Sequence, residues 1–103
     1  MDSVVFDTDI TPVHPGTVLK EDYLQELGIN QNQLAVAIGV QPIRISQIIR
    51  GQRAVSADTA LRLGHFFGNS AEYWMRLQAY YDLDLARLEV GAVGLKAIQP
   101  HAG

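Results

Sequence analysis

Apolar residues recur along this chain at intervals of three and four, in blocks punctuated by glycine, and that pattern predicts five helices. Leu19, Tyr23 and Leu27 share one face of a first helix running from Pro15 to about Glu26. Proline loses nothing in the first turn, where its missing N–H has no helical partner, and Gly28 ends the helix. Asn30 caps a second helix from about Gln31 to Ile38. A third starts at Pro42 and stops at Gly51, with Ile45 and Ile48 on its inner face. Ser56 caps a fourth, whose first turn places Asp58 and Thr59 against the positive end of the helix dipole; Leu63 and Phe67 face inward and Gly68 closes it. Ser70 caps the fifth and longest, with Glu72 near its start and a stripe of Trp74, Leu77, Tyr81, Leu85 and Leu88. Beyond Leu88, Gly91 and Gly94 weaken any helix, and Leu95 to Ile98 reads as a short strand before Pro100.

Residues 1–13 carry Asp2, Asp7, Asp9 and Pro12 without a helical period, so they read as a mobile arm whose Val4, Val5 and Phe6 form a short strand or a sticky patch on binding. A chain of 103 residues that is 48% hydrophobic holds one domain with one core. The expected organisation is all-α: an arm over 1–13, a five-helix domain over 14–88 and a tail over 89–103.

The span from Gln31 to Arg53 has the spacing of a helix-turn-helix. Ala35 is small enough for two helices to cross closely, Gly39 takes the positive φ of a tight helix end, and Ile45 with Ile48 buries one side of the next helix. Gln41, Ile43, Arg44, Ser46, Gln47 and Arg50 then form the outward face. Arg and Gln suit bidentate hydrogen bonds to guanine and adenine edges, and the major groove admits one helix. Gln31 and Asn32 begin the preceding helix, where backbone N–H groups and short amides can hold a phosphate. The net charge of −3 argues against nucleic acid until it is located. Between Leu27 and Ala57 the only formal charges are Arg44, Arg50 and Arg53; the remainder carries five basic and eleven acidic residues. The positive charge lies where a DNA-facing surface belongs, and the acidic remainder suits either solubility or a basic protein partner.

Other chemistries find little support. The chain has no cysteine, no apolar run near the length of a membrane span and no signal-peptide pattern, which reads as cytoplasmic. His14, His65 and His101 stand far apart with no ligand at metal spacing, so His14 before a proline reads as structural. No phosphate-cradling glycine loop, nucleophile elbow or Glu/His metal motif is present; neither catalysis nor a cofactor, metal or small-molecule ligand is expected. Trp74, Tyr80 and Tyr81, at helical spacing among leucines, read as packing rather than base stacking. The fifth helix has more apolar surface than this core absorbs, which predicts a homodimer interface through Trp74, Tyr80, Tyr81, Leu85 and Leu88.

Over residues 14–85 the chain resembles the XRE-type, lambda-repressor-like DNA-binding domains, and within them the HigA (VapI-type) antitoxins. The resemblance rests on His14-Pro15-Gly16, the Arg50-Gly51 turn, the segment Asp58-Thr59-Ala60-Leu61-Arg62-Leu63, and Trp74 with Leu77, Gln78 and Tyr81. It implies a dimer that represses its own operon on double-stranded operator DNA and neutralises a HigB-type toxin, an mRNA-cleaving RelE-like protein. Pro42 and Ile43 depart from the basic or polar residues of many such proteins, and Ile43 is placed to touch a thymine methyl. A basic toxin face would meet the acidic first helix at Glu21, Asp22 and Glu26, or the N-terminal arm, with Arg53 serving phosphate rather than bases. Two alternatives stay open: a stand-alone XRE-type repressor without a toxin, and an adaptor that has lost DNA binding.

Overall fold

The computed structural model describes residues 10–102, which are helical with no strand among them. The acidic residues Asp2, Asp7 and Asp9 and the Val4 to Phe6 run lie outside that range. Helix α1 spans residues 15–27; α2 is Gln31–Ile38, α3 Pro42–Ile49, α4 Ala57–Phe67 and α5 Ala71–Lys96. The all-α class and the five helices follow the apolar pattern, and Gly28, Gly39 and Gly68 end their helices in the left-handed conformation.

Helix α1 is not uniform. It is α-helical over Pro15–Val18, opens into a π-helix over Leu19–Leu24 and returns to α over Gln25–Leu27, so that Gln25 N–H donates to the carbonyl of Lys20, five residues back. The wider turn puts Leu19 and Leu24 together in the core, whereas Leu27 is 58% exposed. The expected face of Leu19, Tyr23 and Leu27 is therefore corrected to Leu19, Tyr23 and Leu24, because a four-residue spacing fails across a π turn. His14 caps the helix: its Nδ1 accepts from Gly16 N–H at 2.9 Å. A Cβ on Gly16 would lie 1.9 Å from the carbonyl oxygen of Ile48, so α1 crosses α3 backbone to backbone at this glycine.

The core joins Leu19 and Leu24 of α1, Leu34, Ala35 and Ile38 of α2, Ile45 and Ile48 of α3, Val55, Ala60 and Leu63, and Trp74 of α5. Trp74 is fully buried beneath Tyr23, Phe67 and Tyr73. Its Nε1 donates to Asn69 Oδ1 at 3.0 Å, and Asn69 Nδ2 donates to the Tyr23 hydroxyl at 3.1 Å, so one loop amide ties α1 to α5. This corrects the placement of Trp74 at a dimer interface: a side chain with no exposed surface serves its own fold.

Gln78 is the other buried residue of α5. Its Oε1 accepts from Val55 N–H at 2.8 Å and its Nε2 donates to Asp82 Oδ1 at 2.9 Å, which pins the loop between α3 and α4 onto α5. Past Gln78 the helix runs on with no fully buried side chain. Gly91 breaks it with φ 68° and ψ 174°, after which helix resumes to Lys96. The strand expected over Leu95 to Ile98 does not form, since no strand among the described residues offers it a ladder. The overhanging helix stretches the molecule to 52 Å along one axis and gives a Cα radius of gyration of 17.0 Å, against about 13 Å for a compact domain of 100 residues.

Candidate nucleic-acid interface

The α2–turn–α3 unit is fixed at both ends of α2. Asn30 Oδ1 accepts from Gln33 N–H, and Gln33 Oε1 accepts from Asn30 N–H, both at 2.8 Å, forming a reciprocal capping box. At the other end Gly39 adopts φ 73°, which lets Val40 N–H return to the carbonyl of Ala35 at 3.0 Å. Arg62 of α4 closes this end: its Nη1 donates to the carbonyls of Ile38 at 2.7 Å and Gly39 at 3.3 Å, setting a cation on the negative pole of α2. Gln31 is half-buried and Asn32 exposed at the start of α2, so the short amide of Asn32 is open to a ligand.

Helix α3 inserts Ile45 and Ile48 fully into the core and turns Gln41, Ile43 and Arg50 to solvent, with Arg44, Ser46 and Gln47 half-buried at the margins. Gln41 occupies the N-cap position, Pro42 the first turn and Arg50 the C-cap. Arg44 departs from the expected free outward side chain. Its Nη1 sits 2.6 Å from Asp58 Oδ2 and 3.3 Å from Thr59 Oγ1, because the first turn of α4 runs beside the start of α3. Arg62 also reaches Asp58 at 3.2 Å, and these guanidinium groups, Arg44 foremost, hold the carboxyl below the ordinary aspartate range.

A second pairing restrains Gln47, whose Oε1 accepts from Arg53 Nε at 2.8 Å. The Arg53 main chain faces His14, whose ring packs edge-on against Tyr81 with centroids 4.8 Å apart. Burial pushes the His14 pKa below its ordinary 6.5, while the Arg53 carbonyl and the Asp82 charge partly offset that. The structural reading of His14 thus acquires a definite content: a neutral ring that accepts from Gly16 with one nitrogen. Among the described residues Arg50 and Arg53 make no ion pair, so they are the cations of this face open to phosphate.

The other expected surfaces are also placed. Glu21, Asp22 and Glu26 are all exposed on α1, turned away from Leu19 and Leu24. Tyr80, at 60% exposure, and Leu88 are open on α5, and Leu83 joins them; Tyr81 and Leu85 are half-buried. The sequence reading missed the roles of Asp58, Arg62, Gln33 and Asn69. The four-residue spacing of Asp58 and Arg62 signals their mutual pair, whereas the tie from Asp58 to Arg44, fourteen residues away, has no local signature. No group of three His, Cys, Asp or Glu side chains gathers among the described residues, and no described helix is long and apolar enough to cross a membrane.

A solved protein from Pseudomonas aeruginosa, PA4674 in complex with its 18-bp operator DNA, superposes on this fold with a TM-score of 0.85 at 39% identity, covering 90% of this chain and 98% of that one. The Pseudomonas aeruginosa antitoxin HigA, solved with the higBA promoter, gives 0.83 at 40% identity over 87% of this chain and 98% of its own. Antitoxin HigA-1 of Vibrio cholerae is 36% identical over 72 residues, 70% of this chain and 68% of that relative. The Helix-turn-helix family profile (HTH_3) matches residues 20–74, which hold α2, α3, α4 and the capped turn between them. The chain belongs to this helix-turn-helix family, among the relatives of the HigA antitoxins.

Proposed function

We propose that this protein is the antitoxin of a type II toxin–antitoxin pair, a homodimer that reads a palindromic operator in its own promoter with two α3 helices and neutralises a HigB/RelE-like mRNA-cleaving toxin through a separate surface. The observation that carries the reading is the rigidly capped α2–turn–α3 unit, which offers Gln41, Ile43, Ser46 and Gln47 on a face with the free cations Arg50 and Arg53. Its relatives of similar length include proteins solved on operator and promoter DNA. In this arrangement Ile43 and Gln47 meet base edges with Arg44, while Gln31, Asn32, Arg50 and Arg53 hold phosphates and set the register. The protein acts in the cytoplasm by binding, without a cofactor.

One helix reads too few base pairs to find a site in a genome, so two copies are needed, with half-sites about 34 Å apart or a multiple of that on one face of the duplex. Tyr80, Leu83 and Leu88 on the overhanging part of α5 supply apolar surface for that pairing. The test has two arms: footprinting on the promoter, and growth rescue when the adjacent toxin gene is expressed. A single unrepeated half-site, or no rescue by the intact protein, would overturn the corresponding half of the reading.

A further inference from the structure

Asp58 is exposed at the second position of α4, yet it is fully engaged. One oxygen takes Arg44 Nη1 at 2.6 Å, and both lie within 3.3 Å of Arg62 Nε. Arg62 is itself anchored on the carbonyl of Ile38, so the carboxylate has a second partner behind it that does not depend on Arg44. Arg44 meets Asp58 and Thr59 through Nη1 alone. A guanidinium has five N–H donors in a rigid fork, so the pair leaves the Nη2 and Nε side able to make two parallel hydrogen bonds.

A base edge and a phosphate make different demands on that fork. The guanine edge is a neutral, dipolar pair of acceptors that rewards an oriented donor pair, whereas phosphate, which also accepts a guanidinium fork, carries a full negative charge and rewards net positive charge above all. A carboxylate 2.6 Å behind Arg44 preserves the first and weakens the second. Resting on the DNA-reading function proposed above, we infer that Asp58 is a positioning residue for sequence discrimination: it aims Arg44 at a base edge and screens it from phosphate, so that non-specific binding is held down. Its contribution is to selectivity rather than to affinity.

The experiment measures binding to a duplex of the protein's own promoter and to a scrambled duplex of equal length, each across a salt series, for the wild type, Asp58→Asn, and Asp58→Asn combined with Arg44→Ala. Asp58→Asn should bind the scrambled duplex about fivefold more tightly, with the log–log salt slope steeper by about 0.9 for the phosphate that Arg44 gains. The preference for the promoter duplex should fall, and adding Arg44→Ala should abolish the gain. An unchanged preference and slope, or an equal loss on both duplexes, would overturn the proposal in favour of a purely structural ion pair. Should Asp58→Asn not fold by circular dichroism, Asp58→Ser, which keeps a polar oxygen in the first turn of α4 but no charge, takes its place: the same gain on scrambled DNA is expected, and an unchanged preference and slope would sink the idea. A wild type that does not discriminate between the duplexes would remove DNA reading itself, which is separable from a discriminating wild type whose Asp58 variant behaves identically.

Discussion

Arg53 reaches back across the loop after α3 and donates through Nε to Gln47 Oε1 at 2.8 Å, so a residue outside the recognition helix sets the orientation of one inside it. The amide nitrogen of Gln47 is thereby left to donate outward. Gln47→Ala should weaken promoter binding by about 1–3 kcal/mol with little change on scrambled DNA. Arg53→Ala should weaken both duplexes and also blunt the preference, because it releases Gln47. Matched and scrambled duplexes titrated in parallel check this; equal losses for Arg53→Ala on both would reduce Arg53 to a phosphate contact.

The contact of Gly16 with the Ile48 carbonyl predicts intolerance of any side chain there. Gly16→Ala should destabilise the fold by about 3 kcal/mol or more, since the obstructing atom is backbone and cannot rotate away. Gly28 provides the comparison: it has φ 68° but open space around it, so Gly28→Ala should cost only about 1–2 kcal/mol of left-handed strain. Urea denaturation midpoints of the two variants give the measurement.

Surface and core aromatics of α5 should separate cleanly. Tyr80→Asp introduces charge on an exposed position and should yield a folded monomer with poor operator affinity. Trp74→Ala should instead destabilise by about 3–5 kcal/mol, from loss of a fully buried ring. Sedimentation and thermal melts distinguish the outcomes, and an unchanged sedimentation coefficient for Tyr80→Asp would move the interface elsewhere.

His14 gives the fold a pH dependence of definite sign. Its folded-state pKa is lowered, with burial the leading cause, so the native state binds the proton less readily than the unfolded chain. The contribution is fully present above the ordinary value of 6.5 and is lost as pH falls through the folded value. Melting temperature should therefore decline more between pH 7 and pH 5 in the wild type than in His14→Asn, which keeps a capping oxygen but does not titrate. Parallel declines would remove the histidine from the account.

Toxin neutralisation and DNA reading should use different faces. Reversing the charges of Glu21 and Asp22 on α1 should impair growth rescue, whereas Arg44→Ala with Gln47→Ala should leave it intact. Loss of rescue in the α3 double variant, with its fold preserved, would show that the two surfaces overlap.

Local patterns in the sequence carried most of this fold. Asn30, Ser56 and Ser70 cap their helices as their residue types dictate, and Ile45 and Ile48 are buried as their spacing requires. What escaped the sequence was non-local or aperiodic. The π turn in α1 changes the repeat from four to five and so swaps Leu24 for Leu27, and nothing in LKEDYL announces it. Arg44 reads as a free base contact until α4 brings Asp58 beside it, and Asn69 reads as a loop residue until Tyr23 and Trp74 meet on either side. Excess apolar surface on α5 was visible, but its stripe ran from Trp74, which the core claims, to Leu88, which it does not.

The part of α5 beyond Leu85, residues 86–96, has no buried side chain to hold it on the core. Helical segments shorter than about 12–15 residues are marginal in water without packing partners. The rod that extends toward Lys96 should therefore gain order from a neighbour, which makes its secondary structure a reporter of association. Ellipticity at 222 nm should rise with protein concentration along the same curve as dimer formation, so that dilution melts the end of one helix while the domain beneath it stays folded.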